Sequence, residues 1–215
     1  MGSQITCSAT SRRPTDTADG SCVSAPRIRH VILDRDGVLN REAHDGGYVL
    51  VPAEFDWLPG ALAALALLRQ AGVRITVATN QSAVGRGLMS PEQLESVHAK
   101  MRLEAAEYGG ALDDVLFCPH APEAQCDCRK PAPRLLLEAV NRSGIAGEET
   151  LVVGDDHRDL EAAARAGLSS ALVLTGKGRA TRAQLMRQGI ATPAYDDLLQ
   201  LAVAVANSAV QRQGS

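Results

Sequence analysis

The sequence predicts an α/β protein with a doubly wound, Rossmann-like parallel sheet and helices on both faces. Short apolar runs alternate with longer helical segments along most of the chain, which is the pattern of parallel strands joined by helical crossovers. Polar side chains follow these runs directly, and sheets of this kind bind ligands beyond the carboxyl ends of their strands. The elements leave no segment long enough for a large cap domain.

The predicted strands are short and rich in β-branched or other apolar residues, as buried parallel strands are. The first, VIL, stops abruptly at Asp34, where its carboxyl end would open into a site. In chain order the strands are residues 31–33, 73–78, 115–117, 150–153 and 171–174.

Helices are predicted between the strands by apolar periodicity and by their end signals. The clearest start is Ser90-Pro91, a capping residue followed by a proline at the first helical position. Glycines mark several ends. The predicted helices are residues 60–72, 90–108, 132–142 and 160–166, with a glycine-rich turn at 175–178 and helix beyond it, broken at 192–193.

The 215 residues suit one sizeable domain. Residues 1–27 are rich in Ser, Thr, Asp and Arg, have no periodicity, and are expected to form a disordered leader. The folded domain is predicted over residues 28–206, with a frayed tail at 207–215.

Net charge and hydropathy argue against nucleic acid and membranes as partners of this protein. The formal charge is −3, so no basic field indicates nucleic acid or an anionic membrane surface. No apolar run approaches the roughly 20 residues that span a bilayer, and the first thirty residues lack the apolar segment of a signal peptide. We expect a cytoplasmic monomer that binds a small molecule.

The stretch HVILDRDGVL carries two acids, Asp34 and Asp36, two residues apart. Continued extended backbone would point both side chains the same way. Crowded carboxylates repel each other unless a cation such as Mg²⁺ lies between them. A solvated Asp-Arg-Asp-Gly turn explains these residues equally well. The choice between a metal site and a turn therefore depends on residues elsewhere in the chain.

Three further polar residues, Thr79, Lys130 and Asp155, follow later strands directly or within one loop. Each has an ordinary explanation, as a strand-end cap, a solvated lysine and a helix N-cap. Together they are complementary for phosphoryl transfer, with Asp34 as nucleophile and Asp36 as general acid and base. Lys130 and the Thr79 hydroxyl would stabilise the transferring group, and Asp155 would hold the metal.

A second metal site is indicated by Cys118, His120, Cys126 and Cys128. Three thiolates and one imidazole form a standard tetrahedral structural Zn²⁺ set, with no position left for water. Spare or buried thiols are the alternative, which the clustering within one eleven-residue segment disfavours. The zinc-stabilised loop would hold the cations that follow it.

These motifs also carry a family resemblance. DRDGV, TNQS, CRKP and GDDHRD resemble the four motifs of the haloacid dehalogenase superfamily, in the same order, from Arg29 to about Lys177. HDGGY, TNQSAVGRG and CPH…CDCRKP closely resemble D-glycero-D-manno-heptose 1,7-bisphosphate 7-phosphatases, which share a subgroup with histidinol-phosphate phosphatases.

The resemblance implies a Mg²⁺-dependent phosphatase that forms an aspartyl-phosphate and releases heptose 1-phosphate for nucleotide-activated heptose synthesis. It places Mg²⁺ on Asp34, Asp155 and the backbone carbonyl of Asp36, and Zn²⁺ in the cysteine loop. It implies substrate contacts at Asn40, Asp45, Gly46, Gly47, Tyr48, Thr79, Asn80, Gln81, Ser82, Arg129 and Lys130.

Some alternatives stay open at this stage. A histidinol-phosphate phosphatase would share the catalytic edge, and a non-catalytic zinc-loop module would need an impaired motif. HDGGY by itself is equally a surface turn. The preferred anomer of the 1-phosphate, and any help to the metal from Asp156 or Asp159, are undecided. His98 is expected on a helix surface and His157 as a solvated or capping residue.

Overall fold

Six parallel strands form one sheet in the order β3-β2-β1-β4-β5-β6. The computed structural model describes residues 27–43 and 47–210. Central β1 pairs with β2 and β4, so that Leu33 lies opposite Val77 and Val153. The strands are β1 (His30–Leu33), β2 (Arg74–Asn80), β3 (Asp114–Cys118), β4 (Thr150–Gly154), β5 (Ser169–Val173) and β6 (Ala194–Tyr195).

Helices connect the strands and cover both faces of the sheet. They are α1 (Ala61–Gln70), α2 (Ser82–Gly85), α3 (Pro91–Glu107), α4 (Arg134–Ser143), α5 (His157–Ala166), α6 (Gly178–Arg187) and α7 (Leu198–Val210). Within the described ranges no helix is both long and apolar enough to cross a membrane.

Each face of the sheet has its own apolar core. α1, α3 and α7 pack with Val31 and Leu33 on one face, and α4 and α5 pack with Ile32 on the other. Successive strand residues point to opposite faces, so an unbroken apolar β1 supplies both cores. The predicted doubly wound fold is confirmed.

The capping signals in the sequence act as expected. Ser90 Oγ accepts a hydrogen bond from the Gln93 backbone N–H at 3.2 Å, and Gln93 Oε1 accepts from the Ser90 N–H at 2.7 Å. Gly144 and Gly167 end α4 and α5 in left-handed backbone, at φ +68° and +70°. This conformation is strained for residues with a Cβ atom.

Two short elements are not predicted by the sequence pattern. α2 lies between β2 and the predicted helix over residues 90–108, where no element is predicted, and β6 lies inside a segment predicted as helix with one break. Neither is long enough to show a periodicity. β6 forms because the exposed edge of β5 offers hydrogen bonds: the Leu172 N–H donates to Pro193 O and the Leu174 N–H to Tyr195 O, both at 2.9 Å.

The predicted chain ends are described only in part. α7 continues to Val210, beyond the point at which fraying is expected. Of the predicted leader, only Arg27 belongs to the described residues; the rest of it, residues 44–46 and residues 211–215 lie outside them.

Candidate active site

A cavity of about 330 Å³ opens at the carboxyl edge of the sheet. Asp34 follows β1, Thr79 lies near the end of β2, and Asp155 follows β4. Lys130 reaches the same cavity from the loop after β3. Other predicted residues that line the cavity are Asp36, Gly47, Tyr48, Asn80, Gln81, Ser82 and Arg129.

Lys130 is a buried cation between two acids. Its Nζ lies 3.0 Å from Asp34 Oδ1 and 2.5 Å from Asp159 Oδ1. Burial by itself lowers the pKa of Lys130, but the charges of Asp159 and Asp34 outweigh burial and raise it above its ordinary value. Its backbone is fixed by the Asn80 amide, which accepts from the Lys130 N–H at 3.0 Å and donates to its carbonyl at 3.1 Å. The ammonium is therefore held charged beside Asp34 and is not a solvated surface group.

Three carboxylates, Asp34, Asp155 and Asp159, have oxygens within 4.8 Å of one another. Burial and the charge of Asp34 raise the pKa of Asp155 to about 8. Three acids facing the one ammonium of Lys130 leave an excess of negative charge, which a bound cation would neutralise. Carboxylate oxygens are ligands that Mg²⁺ prefers, so this donor set fits a hard divalent cation.

Glycines hold the Asp155 carboxylate in place. Gly37 and Gly176 have φ angles of +84° and +50°, and a Cβ atom on either would overlap Asp155 Oδ2. The same oxygen accepts a 2.7 Å hydrogen bond from the Lys177 backbone N–H. Close backbone approach, which glycine permits, thus fixes this acid.

The Asp36 carboxylate is turned away from the other acids because the backbone bends at Arg35 and does not stay extended. Its Oδ1 accepts from Arg35 Nη2 at 2.8 Å and Asn40 Nδ2 at 2.9 Å, and its Oδ2 accepts from Gln81 Nε2 at 2.8 Å. Burial raises its pKa, but the Arg35 charge and these hydrogen bonds lower it below the ordinary value. Extended geometry predicts that the side chains of Asp34 and Asp36 face one cation together. The bend at Arg35 means that they do not.

Some predicted substrate contacts have another place in the structure. Asn40 is fully buried, lies outside the cavity lining, and supports Asp36. The Ser82 hydroxyl donates to the Tyr48 hydroxyl at 3.3 Å, which joins α2 to the segment that follows the undescribed residues 44–46. Asp45 and Gly46 lie outside the described residues.

Cys118, His120, Cys126 and Cys128 converge in the loop after β3, with ligand atoms within 4.8 Å of one another. Sγ of Cys128 lies 3.2 Å from His120 Nδ1, 3.2 Å from Cys118 Sγ and 3.5 Å from Cys126 Sγ. A tetrahedron with Zn–S bonds of about 2.3 Å has edges of about 3.8 Å, so these separations are close to those that a zinc ion requires.

The thiols and the backbone of this loop also suit a metal-holding role. Burial opposes ionisation of Cys126, but hydrogen bonds from the Arg129 backbone N–H and from neighbouring thiols lower its pKa to about 7. The loop is tied to α2 by the N–H groups of Gln81 and Gly85, which donate to Cys118 O and Pro119 O at 2.8 Å. Arg129 and Lys130 follow this anchored segment directly.

The cavity also contains residues to which the sequence pattern assigns no role. Lys177 pairs with Glu42 at 2.5 Å, and Arg158 Nη2 pairs with Asp156 Oδ2 at 2.7 Å. Asp156, and not Asp155, caps α5. The strand-edge rule could have found Lys177, which follows β5, whereas Arg158 pairs with an acid only two residues before it.

The prediction for His98 is wrong. This residue is fully buried and does not lie on the surface of α3, because it shares the inward face of the helix with Leu94 and Met101. Its Nε2 lies 3.4 Å from Arg35 Nη1. His157 is exposed as expected and lies 2.9 Å from an Asp156 oxygen.

Comparison with known proteins gives consistent results. The HAD-hydrolase-like family matches residues 127–201. The chain is 44% identical over 157 residues to a D-glycero-beta-D-manno-heptose-1,7-bisphosphate 7-phosphatase of Bordetella bronchiseptica, covering 73% of this chain and 87% of the relative. It is 37% identical over 187 residues to a D-glycero-alpha-D-manno-heptose-1,7-bisphosphate 7-phosphatase of Mycobacterium tuberculosis. This match covers 85% of this chain and 94% of the relative.

A solved structure agrees with these relatives. The crystal structure of D,D-heptose 1,7-bisphosphate phosphatase from B. bronchiseptica, complexed with magnesium and phosphate, matches with a TM-score of 0.77 and 40% identity. The match covers 84% of this chain and 99% of that one.

Proposed function

The chain belongs to the D-glycero-D-manno-heptose 1,7-bisphosphate 7-phosphatase family of HAD-like hydrolases, and we propose that it converts this bisphosphate to heptose 1-phosphate. It is a phosphoric monoester hydrolase. The observation that carries the proposal is the buried Lys130 ammonium 3.0 Å from Asp34, on the floor of a cavity. A carboxylate nucleophile needs such a cation when it approaches a phosphate dianion.

The first chemical step uses Asp34 and Asp36. A carboxylate oxygen of Asp34 bonds to phosphorus while the bond from phosphorus to the sugar oxygen breaks. The pKa of Asp36 is lowered in the free site, so this step requires Asp36 to be protonated in the complex with substrate, where it gives its proton to the leaving alkoxide. Lys130 and the Thr79 hydroxyl stabilise the oxygens of the transferring group.

The second step returns the enzyme to its starting form. The Asp36 carboxylate accepts a proton from water as the water oxygen bonds to phosphorus. The bond between phosphorus and Asp34 then breaks and inorganic phosphate leaves. Asp36 is protonated again at the end, so the same residue serves as acid and then as base.

Mg²⁺ would be held by Asp34, Asp155 and the backbone carbonyl of Asp36. When bound, it would neutralise charge between the carboxylates and the phosphate. Support comes from the crowded acids of this site and from the B. bronchiseptica relative, which is complexed with magnesium. Because Asp159 is paired with Lys130, we assign it the role of orienting that lysine.

Zn²⁺ would be held by Cys118, His120, Cys126 and Cys128, and its role would be structural because four protein ligands leave no open position. Rigidity of this loop would aim Arg129 and Lys130 at the substrate. The distances among the four ligand atoms support this assignment.

We also propose that the enzyme acts in the cytoplasm as a monomer and supplies nucleotide-activated heptose synthesis. Cys118, Cys126 and Cys128 are free thiols, which suits a reducing compartment.

The test is phosphate release with Mg²⁺ from the α- and β-anomers of the heptose 1,7-bisphosphate, with histidinol phosphate alongside. We expect the β-anomer to have the highest kcat/KM, because the relatives at 40–44% identity are named for that anomer. Preference for histidinol phosphate would overturn the proposed substrate and leave the proposed two-step mechanism unchanged.

A further inference from the structure

Arg35 is a completely buried cation directly behind the proposed acid and base. We propose that Arg35 and His98 are positioning residues that hold the carboxylate of Asp36 for proton transfer. The inference rests on the proposed function, because it assigns Asp36 the proton-transfer role described above.

The contact between Arg35 and Asp36 fixes both carboxylate oxygens. Arg35 Nε and Nη2 donate to Oδ1 at 3.2 and 2.8 Å, and Nη2 also donates to Oδ2 at 3.0 Å. The Asp36 side chain is 29% exposed and the Arg35 side chain 1%. The guanidinium therefore reaches the carboxylate from the protein interior and leaves the cavity side open to substrate.

Arg35 differs from the other groups that hold Asp36. Asn40 and Gln81 each donate one amide hydrogen bond, and a single bond restricts only one oxygen. The planar guanidinium binds both oxygens in a fixed geometry. Among the described residues, Asp36 is the acid within ion-pair distance of Arg35, so the buried charge keeps the carboxylate in place.

His98 holds the far side of this guanidinium. Arginine has no acceptor atom, so His98 Nε2 accepts from Arg35 Nη1 at 3.4 Å and the ring proton lies on Nδ1. The ring also packs against Phe117, with centroids 5.7 Å apart. The contact spans 63 residues of sequence and links α3 to the catalytic loop.

The cost of keeping a histidine here supports a positioning role. His98 Nδ1 is buried with no hydrogen-bond partner among the described residues, which is unfavourable for a polar group. Its inward neighbours on α3, such as Val97 and Met101, are apolar. An apolar side chain would fill the position at lower cost, but Arg35 Nη1 would lose its contact with His98 Nε2.

The test compares Arg35→Lys, Arg35→Met, His98→Leu and His98→Gln, with Met101→Ala as the control for a disturbed core. Substrates are the heptose bisphosphate and p-nitrophenyl phosphate. The nitrophenolate leaving group needs no proton, so misplacement of Asp36 slows only the second step with this ester. Asp36→Asn serves as the reference for loss of the acid and base.

We expect Arg35→Met to lower kcat for the sugar substrate about 10- to 100-fold, with little change in KM. With p-nitrophenyl phosphate it should give a burst of nitrophenolate equal to the enzyme concentration, followed by slow turnover. His98→Leu should show the same pattern more weakly, and His98→Gln, which keeps an acceptor, should recover most of kcat.

Folded Arg35 or His98 variants with wild-type kcat and no burst would overturn the inference, as would an equal burst in Met101→Ala. If the Arg35 variants do not fold, the inference is tested by comparing kcat and the burst of His98→Leu with those of His98→Gln. If the wild-type enzyme does not hydrolyse the heptose bisphosphate, only the proposed substrate is refuted. The burst with p-nitrophenyl phosphate still tests the positioning of Asp36. Wild-type activity in Asp36→Asn would refute the proposed chemistry itself.

Discussion

At the scale of single residues, the site is defined by charges that are buried and only partly balanced. The single ammonium of Lys130 pairs with both Asp34 and Asp159, whereas Asp155 is left with a raised pKa. A buried carboxylate without a cationic partner is unfavourable. This excess of negative charge favours a bound cation, and the first two predictions concern the acids that create it.

Asp34→Asn should lower kcat at least about a thousandfold, because an amide cannot attack phosphorus as a carboxylate does. The fold should be retained, since Lys130 keeps Asp159 as its partner. The measurement is phosphate release together with urea unfolding. Full activity in the folded variant would exclude an aspartyl-phosphate on this residue.

Gly176→Ala should abolish most of the activity because its Cβ atom would overlap Asp155 Oδ2. The matched control is Gly167→Ala, which also has a positive φ but has no atom within 4 Å of an added Cβ. The control should cost about 1 kcal/mol of stability and leave kcat unchanged. Equal kcat values for the two variants would show that the Asp155 position does not depend on this contact.

At the scale of elements, two loops deliver the cations of the site. The cysteine loop after β3 carries Arg129 and Lys130, and it is tied to α2 through backbone hydrogen bonds. The turn after β5 carries Lys177. A loop without regular structure needs such ties to hold side chains in place, and a structural metal is one way to provide them.

Cys126→Ser should reduce bound zinc and lower the melting temperature by roughly 5–10 °C. It should also lower kcat, because the loop before Lys130 loses a ligand. The control is Asp127→Asn, in the same loop, whose side chain is exposed and pairs with Arg134. Elemental analysis and thermal unfolding provide the readouts, and native protein without zinc would contradict the assignment.

At the scale of the whole molecule, stability depends on keeping a histidine neutral inside the sheet. His30 is fully buried, and its ring nitrogens lie 2.9 Å from Thr76 Oγ1 and 3.3 Å from Thr150 Oγ1. Burial, with a smaller effect from the charge of Arg74, lowers its pKa from 6.5 to about 4.

The unfolded chain therefore binds a proton near pH 6.5, and the folded chain does so only near pH 4. The stability from neutral His30 is fully present above pH 6.5 and is lost as the pH falls to about 4. The expected loss in free energy of unfolding is on the order of 3 kcal/mol. Urea unfolding at several pH values measures it.

The matched variants for this prediction are His30→Gln and His157→Gln. His30→Gln should give a shallower dependence of stability on pH. His157→Gln should behave like the wild type, because that side chain is exposed. The same pH dependence of stability in all three proteins would show that His30 does not cause the loss of stability at acidic pH.

The sequence by itself determined the order of elements and the edge at which the site lies. Apolar runs and caps report local backbone structure, and strands that all point the same way bring their carboxyl ends together. The positions of Asp34, Thr79, Lys130 and Asp155 along the chain were therefore enough to place them in one cavity. The clustering of three cysteines and a histidine in the sequence predicted the group that converges in the loop after β3, and the expected family is confirmed.

Only the tertiary structure decided which side chains meet. The burial of His98, the bend that turns Asp36 toward Arg35, and the pairing of Asp159 with Lys130 join residues far apart in the chain or turned by the backbone. β6 depends on a free strand edge. Periodicity shows that a residue is helical or extended, but partners are chosen by packing, which no local pattern encodes.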